Sequence, residues 1–278
     1  MNIVVAAVVV IAVTAVAVGV MLLVRRGAPD GGYFHDGDRA AGVFGVLATG
    51  FAVLLGFVVF LAFTSYDAAR VGAEDEALIV AQQVETAQLL PAPQAAELTG
   101  ELVCYARSVA GVQWERMYAG TLGEELNPWG AELFRTIRTV EPTTSVQESA
   151  FDTWLSQTSD REAARNDRIH GAVGVIPAPM WIVLLFASVL IFFYMLFFAD
   201  SGEAIQVQAL LMGTVVSVIT ALLLLVQALN DPFHPGVGGL QPVAMERVLQ
   251  VIDQELELVG TDDPPPCDDR GIALEAGR

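Results

Sequence analysis

Four long apolar runs divide the chain and alternate with stretches of mixed polarity. They cover 3–24, about 42–63, about 180–198 and about 205–229, and none contains a charged residue. A hydrocarbon core about 30 Å thick needs about 20 apolar residues of helix, so each run is long enough to cross it. Because a helix satisfies its own backbone polar groups, the pattern predicts four transmembrane helices. The first run lacks the basic start and cleavage site of a signal peptide, which favours an uncleaved anchor.

The segment between the second and third runs predicts further helices outside the membrane. No helix breaker ends the second span, so its helix is expected to continue to about Leu90, before Pro91. Apolar stripes at helical spacing follow, and one more amphipathic stripe lies after the fourth span. Helix starts are predicted at Asn127 followed by Pro128, and at a capping box formed by Ser145 and Glu148.

The predicted fold class is therefore an all-α integral membrane protein with four transmembrane helices and a helical extramembrane segment between spans two and three. Spans one and two with a short Arg-containing loop occupy 1–64, and the acidic helical segment occupies 65–176. Spans three and four occupy 177–230, a turn and amphipathic helix occupy 231–260, and the acidic tail 261–278 is expected to be disordered.

Composition supports a membrane protein with an acidic soluble part. Hydrophobic residues make up 54% of the chain and charged residues 17%, below the roughly 25% usual in soluble domains. The 14 basic residues are all Arg, and 32 acidic residues give a net charge of −18. This charge argues against nucleic acid as a partner, since phosphates need a basic face. Two Cys residues are too few for a disulfide framework and lack metal-ligand spacing.

Motifs of catalysis are not found in the sequence. The three His residues are far apart, and there is no phosphate-binding Gly loop, zinc-type Cys pair or nucleophile elbow. No charged residue lies within a span, which removes the usual mark of a proton-coupled transporter. We therefore expect no enzyme activity, no cofactor and no metal site.

Four spans place both termini and the soluble segment on one side of the cell membrane. Arg25, Arg26 and Arg39 lie in the loop between spans one and two, and the positive-inside rule assigns that loop to the cytoplasm. The opposite side carries Arg70, Arg161, Arg165, Arg168 and Arg247 near its membrane flanks, so the bias is small.

Several motifs together resemble the bacterial bestrophin-like family of unknown function, distant relatives of bestrophin channels. In and after span two they are Gly42–Gly45, residues 52–60, Tyr66 and the pair Glu76-Ala77. In the soluble segment they are Leu89–Pro91, Tyr105 and residues 113–117 with Gly120. In and after span four they are residues 208–212 and 229–233, with Gly236 and Pro242. Gln113, Glu115, Asn230 and Pro235 depart from the family pattern. The acidic calcium clasp of bestrophins is replaced by 237–240, so no calcium site is carried over.

The resemblance implies a homopentamer in the lipid bilayer, with a central pore lined by span two and a cytoplasmic soluble segment. Gly residues in span two permit close helix packing. Gly50, Phe57, Phe60 and Thr64 are the pore-lining candidates, because rings of Phe form a hydrophobic constriction that gates by dewetting. The alternative is that these aromatic side chains face lipid or neighbouring helices.

Acidic residues and a turn complete the candidate set. Asp67 and Glu74 are seven residues apart, and in a ring they would raise the local cation concentration. Alternatively they form a solvated face paired with Arg70. The turn motif consists of Asn230, Asp231, Pro232 and Phe233. It predicts either a plain helix stop with an interfacial Phe or a hinge to the soluble segment.

Two functions follow from these observations. The first is an oligomeric channel for inorganic ions, with a preference for cations suggested by the negative charge. The second is a membrane-anchored scaffold whose helical segment binds a partner. A closed symmetric ring and ion flux from purified protein distinguish the first from the second.

Overall fold

The computed structural model describes residues 2–121, 127–259 and 264–274. Over these residues the all-α prediction is confirmed, and an isolated antiparallel bridge pairs Cys267 with Ala273. The helices are α1 (Ile3–Arg25), α2 (Gly37–Ala87), α3 (Gln94–Ser108), α4 (Trp114–Tyr118), α5 (Pro128–Ile137), α6 (Ser145–Ala172), α7 (Ala178–Leu196), α8 (Ile205–Asn230) and α9 (Val243–Val259), with a π-helical turn at Val109–Gln113 between α3 and α4. Four of them, α1, α2, α7 and α8, are long and apolar enough to cross a membrane.

The contacts divide the chain into a membrane unit and a soluble unit. The membrane unit comprises the chain up to Tyr66, Gly174–Asp231 and Pro235–Gly239. The soluble unit comprises the described residues of Asp67–Val173, Pro232–His234 and those from Leu240 onward. Helix α2 contributes residues to both units, because no breaker interrupts its 51 residues.

In the membrane unit, α1 packs along α8 and α2 packs on α7 and α8. The α1–α8 seam includes a hydrogen bond of 3.1 Å between the hydroxyls of Thr14 and Ser217. The second seam is a cluster of buried apolar side chains, and it comprises Phe51, Leu55, Val58, Ala62, Ile176, Leu184, Ile191 and Val226. Each seam uses one helix face, so the outward faces of the spans remain apolar and exposed in a single copy.

In the soluble unit, the C-terminal part of α2 packs with α3, α5, α6 and α9 around one apolar core. The core contains Val80, Val84, Leu98, Leu102, Tyr105, Trp129, Leu133, Trp154 and Ile252. Gly72 lies where α2 meets α6. A Cβ there would sit 2.7 Å from both the Ala164 oxygen and the Arg168 nitrogen of the α6 backbone. Glycine at this position therefore lets the two helices touch backbone to backbone.

Local signals in the sequence predict most helix starts. Asn127 caps α5, where its side chain accepts a hydrogen bond from the Trp129 amide at 3.0 Å, as expected. At α6 the prediction is wrong by one residue: Thr144, not Ser145, is the N-cap, and its hydroxyl accepts from the Gln147 amide at 3.3 Å. The Gln147 side chain accepts in turn from the Thr143 amide, so the capping pair begins one position earlier.

The C-terminal tail differs most from expectation. The sequence predicts disorder over 261–278, but residues 264–274 lie against α3 and the turn that follows it. Cys104 of α3 and Cys267 of the tail form a disulfide, with their Cα atoms 5.7 Å apart. Charge and proline content predict disorder, whereas a covalent bond and local packing order these residues; 261–263 and 275–278 lie outside the described part.

Candidate functional site

The pore-lining candidates lie on the face of α2 that the protomer does not cover. Phe57 is 65% exposed and Phe60 is 63% exposed. Gly50 is exposed, and a Cβ built there would have no neighbour within 4 Å among the described residues. Thr64 is exposed and donates its hydroxyl to the Leu61 carbonyl at 2.9 Å. The structure therefore places all four candidates on an uncovered surface of the membrane unit.

The opposite face of the same helix is packed. Val58 and Ala62 are fully buried against α7 and α8, one or two positions from the exposed Phe57 and Phe60. Successive helical residues differ by about 100° around the axis, so this alternation defines one covered and one open face. The open face carries Val53, Phe57, Phe60 and Thr64 at spacings of three or four residues. We call these four residues the α2 stripe.

The two acidic candidates lie on α2 within the soluble unit, and both pair with the same guanidinium. Arg70 Nη2 lies 2.9 Å from Asp67 Oδ1, and Arg70 Nη1 lies 3.6 Å from Glu74 Oε1. All three side chains are about half exposed, so each pair contributes little to stability. The arrangement is the solvated, paired face that the sequence offered as the alternative, and it retains one formal negative charge.

Asn230 and Asp231, the first half of the turn motif, belong to the membrane unit. Asn230, the last residue of α8, accepts a hydrogen bond from the Ile176 amide through Oδ1 at 2.9 Å. Gly174 approaches the same side chain so closely that a Cβ there would meet Asn230 Nδ2 at 2.5 Å. Asn230 therefore ties the end of α8 to the start of α7, and Asp231 follows as the C-cap residue.

The second half of the turn motif belongs to the soluble unit. Phe233 is buried, and its ring meets that of Trp114 edge to face at a centroid distance of 5.2 Å. The Pro232 carbonyl accepts from the Leu240 amide at 2.9 Å, and the Leu240 carbonyl accepts from Trp114 Nε1 at 3.3 Å. Phe233 thus packs inside the soluble unit.

A buried ion pair lies at the centre of the soluble unit. Glu76 of α2 and Arg168 of α6 are fully buried, and two N–O contacts of 2.5 and 3.1 Å join them. The Tyr105 hydroxyl donates to Glu76 Oε1 at 2.6 Å, and Arg168 also donates to Gln113 Oε1 at 3.2 Å. The Arg168 guanidinium lies 5.9 Å from the centre of the Trp114 ring. Three helices are therefore joined at one carboxylate.

A second buried guanidinium continues this cluster. Arg161 stacks over the Tyr105 ring, 4.8 Å from its centroid, and donates to Gln83 Oε1 at 2.7 Å. Gln83 in turn donates to the Thr158 hydroxyl at 3.0 Å. Arg161 and Arg168 are seven residues apart on α6, so both reach the same side of that helix.

Burial and charge shift the protonation of this cluster. Burial raises the pKa of Tyr105 well above its ordinary value, and the Glu76 carboxylate raises it further. Burial lowers the pKa of Arg168, but the charge and hydrogen bonds of Glu76 outweigh that effect and leave it raised. Arg168 therefore stays protonated and Tyr105 remains a neutral hydrogen-bond donor.

Sequence reasoning found parts of this cluster but not the cation that pairs with Glu76. Glu76, Tyr105 and Trp114 entered through the family resemblance, while Arg168 was counted only for membrane orientation. The sequence signal that could have revealed it is the seven-residue spacing of Arg161 and Arg168, which places both on the same side of a predicted soluble helix. Among the described residues no group of three or more His, Cys, Asp or Glu is placed to hold a metal ion.

The family follows from comparison with known proteins. The model of the Bestrophin-like domain matches residues 11–245. The chain belongs to the bestrophin-like family. The match includes most of α1, the other three spans and most of the soluble unit, whereas the resemblance in the sequence motifs begins only at Gly42. No curated protein matches the chain.

Solved structures show the same fold as this bestrophin-like chain. A bacterial bestrophin homologue from Klebsiella pneumoniae, solved by Zn-SAD phasing, has a TM-score of 0.65 at 15% identity, covering 94% of this chain and 100% of that one. A single-substitution variant of the Klebsiella pneumoniae homologue has a TM-score of 0.63 at 14% identity, covering 91% and 99%. A crystallised membrane protein variant has a TM-score of 0.67 at 14% identity, covering 91% and 99%.

Proposed function

We propose that identical copies of this chain form a closed ring, a pentamer by resemblance to bestrophins, that conducts inorganic ions along an axis lined by α2. The observation that carries this proposal is the α2 stripe. One face of α2 is packed into its own protomer, while the stripe is uncovered and rich in aromatic side chains. A ring with α2 innermost would turn this face toward the axis.

The stripe supplies the physical basis for a gate. Phe57 and Phe60 lie within one helical turn, so rings of them would stack into an apolar constriction near one end of the span. Water leaves a narrow apolar passage, and ions then meet a barrier without any charged residue being present. Gly50, about two to three turns away, would leave the axis wider there because it has no side chain.

A preference for cations belongs to the same proposal. The chain carries a net charge of −18, and the Asp67, Arg70 and Glu74 group on α2 keeps one formal negative charge per copy. Acidic groups repeated around an axis raise the cation concentration at its mouth. We therefore expect reversal potentials in asymmetric salt to favour cations. The double substitution Asp67→Asn with Glu74→Gln should shift the reversal potential toward that of chloride. A wild-type channel that prefers chloride would contradict the proposed cation preference.

Purified full-length protein in liposomes tests the channel directly. Ion flux is expected from the wild type, and Phe57→Ala should increase it several-fold by shortening the apolar constriction. Phe186→Ala is the matched control, since Phe186 is equally exposed but lies on α7. Native mass spectrometry gives the copy number. A ring without flux, or an equal response to both substitutions, would contradict the proposal and favour a scaffold.

A further inference from the structure

The disulfide between Cys104 and Cys267 bears on the side of the membrane that the soluble unit faces. Cys104 lies in the core of the unit and is fully buried, and Cys267 is almost fully buried. The two residues are 163 positions apart in sequence. Among the described residues no free cysteine remains.

The tail is built to lie where the disulfide holds it. Gly271 lies so close to α3 that a Cβ on it would be 2.7 Å from the Cys104 carbonyl oxygen. Its φ of +74° also lies in the left-handed region, which glycine adopts without strain. Its carbonyl accepts from Trp129 Nε1 at 2.7 Å. Arg270 adds an ion pair of 2.6 Å to Glu115. Packing independent of the sulfur atoms therefore brings Cys267 to Cys104.

A disulfide of this kind points to an oxidising compartment. Thiols of proteins facing the cytosol are kept reduced, whereas extracytoplasmic proteins keep their disulfides. Forming the bond converts two thiols to one disulfide and releases two protons and two electrons. A disulfide-bearing thiol oxidant on that side of the membrane takes up both by exchange and becomes a dithiol.

The distribution of Arg residues points the same way. Arg25 is the last residue of α1, Arg26 follows it, and Arg39 lies in the first turn of α2. Short loops rich in Arg are retained in the cytoplasm, so the loop between α1 and α2 is expected there. The Arg residues near the opposite flanks belong largely to the long segment between α2 and α7, and long segments cross the membrane with little regard to charge.

We infer that the soluble unit and both chain ends face the oxidising, extracytoplasmic side of the membrane, with the α1–α2 loop in the cytoplasm. This orientation is opposite to the cytoplasmic placement that the bestrophin resemblance implies. The inference does not depend on ion conduction, because flux from liposomes is measured whichever way the protein is inserted.

Site-directed labelling of the full chain in spheroplasts tests the inference. His35→Cys places a thiol in the α1–α2 loop and Ser156→Cys places one on an exposed face of α6. Each variant is treated with a charged, membrane-impermeant maleimide before and after permeabilisation. Ser156→Cys should react fully in intact spheroplasts, and His35→Cys only after permeabilisation. Asp152→Cys repeats the test at a second exposed position of the soluble unit.

Every departure from that pattern counts against the inference. Reaction of His35→Cys in intact spheroplasts, or protection of Ser156→Cys and Asp152→Cys there, overturns it. A second readout uses the native cysteines. Acid-trapped wild type should carry the disulfide. Denaturing the trapped sample and then reducing it should give two reactive thiols that Cys104→Ala with Cys267→Ala lacks. Reduced cysteines in the trapped sample would also overturn it.

Discussion

Breaking the buried pair of Glu76 and Arg168 should destabilise the soluble unit strongly. Arg168→Met keeps an unbranched side chain but removes the charge that two contacts of 2.5 and 3.1 Å bring to Glu76. It also removes the donors to Gln113 and to Met117. Leaving one buried charge uncompensated costs about 3–5 kcal/mol. For a unit of this size, that corresponds to a fall in Tm of roughly 6–20 °C.

A double-substitution cycle separates the ion pair from its packing. Replacing both partners, as in Glu76→Leu with Arg168→Met, removes both charges and leaves apolar side chains of similar length. Such replacements are often neutral or even stabilising, so the double variant should be less destabilised than the sum of the two single variants by several kcal/mol. Tyr105 then loses its acceptor, which reduces the recovery by about 1–3 kcal/mol.

Thermal unfolding of purified protein, followed by tryptophan fluorescence, measures these effects. Trp114 reports on the pair because the Arg168 guanidinium lies 5.9 Å from its ring. Arg70→Met is the matched control: it removes an exposed pairing to Asp67 and should change stability by no more than about 1 kcal/mol. An Arg168→Met protein as stable as wild type, or strictly additive substitutions, would refute the reasoning.

Three further predictions concern the soluble unit. Burial raises the pKa of Glu101 to about 7 from its ordinary 4.5. The protonated carboxyl group therefore makes its full contribution to stability below pH 4.5 and loses it as the pH rises through 7. The Tm of the wild type should fall between pH 4.5 and 7, whereas the Tm of Glu101→Gln should change less. Gly72→Ala should cost about 1–3 kcal/mol by forcing a Cβ against the Ala164 carbonyl, measured by chemical unfolding. Reducing the bond between Cys104 and Cys267 should cost about 2–5 kcal/mol, measured as a fall in Tm.

Matched variants decide each of these three predictions. Glu148→Gln removes an exposed carboxylate elsewhere in the soluble unit, and an equal change in pH response would count against the role of Glu101. Gly130→Ala adds a methyl group where, among the described residues, nothing beyond the adjacent chain and the helix's own backbone lies within 4 Å, and it should be neutral or slightly stabilising. A Gly72→Ala protein that behaves like Gly130→Ala, or a Tm unaffected by reduction, would be inconsistent with the structure.

Hydrophobic patterning was sufficient to predict the transmembrane helices. Each span is a long uninterrupted apolar run, and a bilayer imposes helix on any such run, so type and approximate ends follow from local sequence. Asn127 before Pro128 likewise predicts its helix start, because an N-cap acts within three residues. At α6 the same reasoning misplaced the cap by one, since Thr144 and Ser145 both have hydroxyl side chains that suit an N-cap.

Long-range contacts were beyond prediction from the sequence. The pairing of Cys104 with Cys267 depends on a tail whose acids and prolines predict disorder. The pairing of Glu76 with Arg168 spans 92 positions and depends on how α2 packs on α6. Family resemblance drew attention to Glu76, but only the packed structure shows which cation neutralises it. Exposure of Phe57 and Phe60 similarly became visible once the packed face of α2 was known.

The central claim is that α2 borders a water-filled axis, and thiol accessibility tests it most directly. Phe60→Cys lies on the α2 stripe, and Phe186→Cys lies on the exposed face of α7. Ion current through reconstituted protein is recorded while a charged, water-soluble thiol reagent is applied. The account predicts that the reagent changes the current of Phe60→Cys and leaves that of Phe186→Cys unchanged. An unaffected Phe60→Cys current, or a response confined to Phe186→Cys, would contradict it.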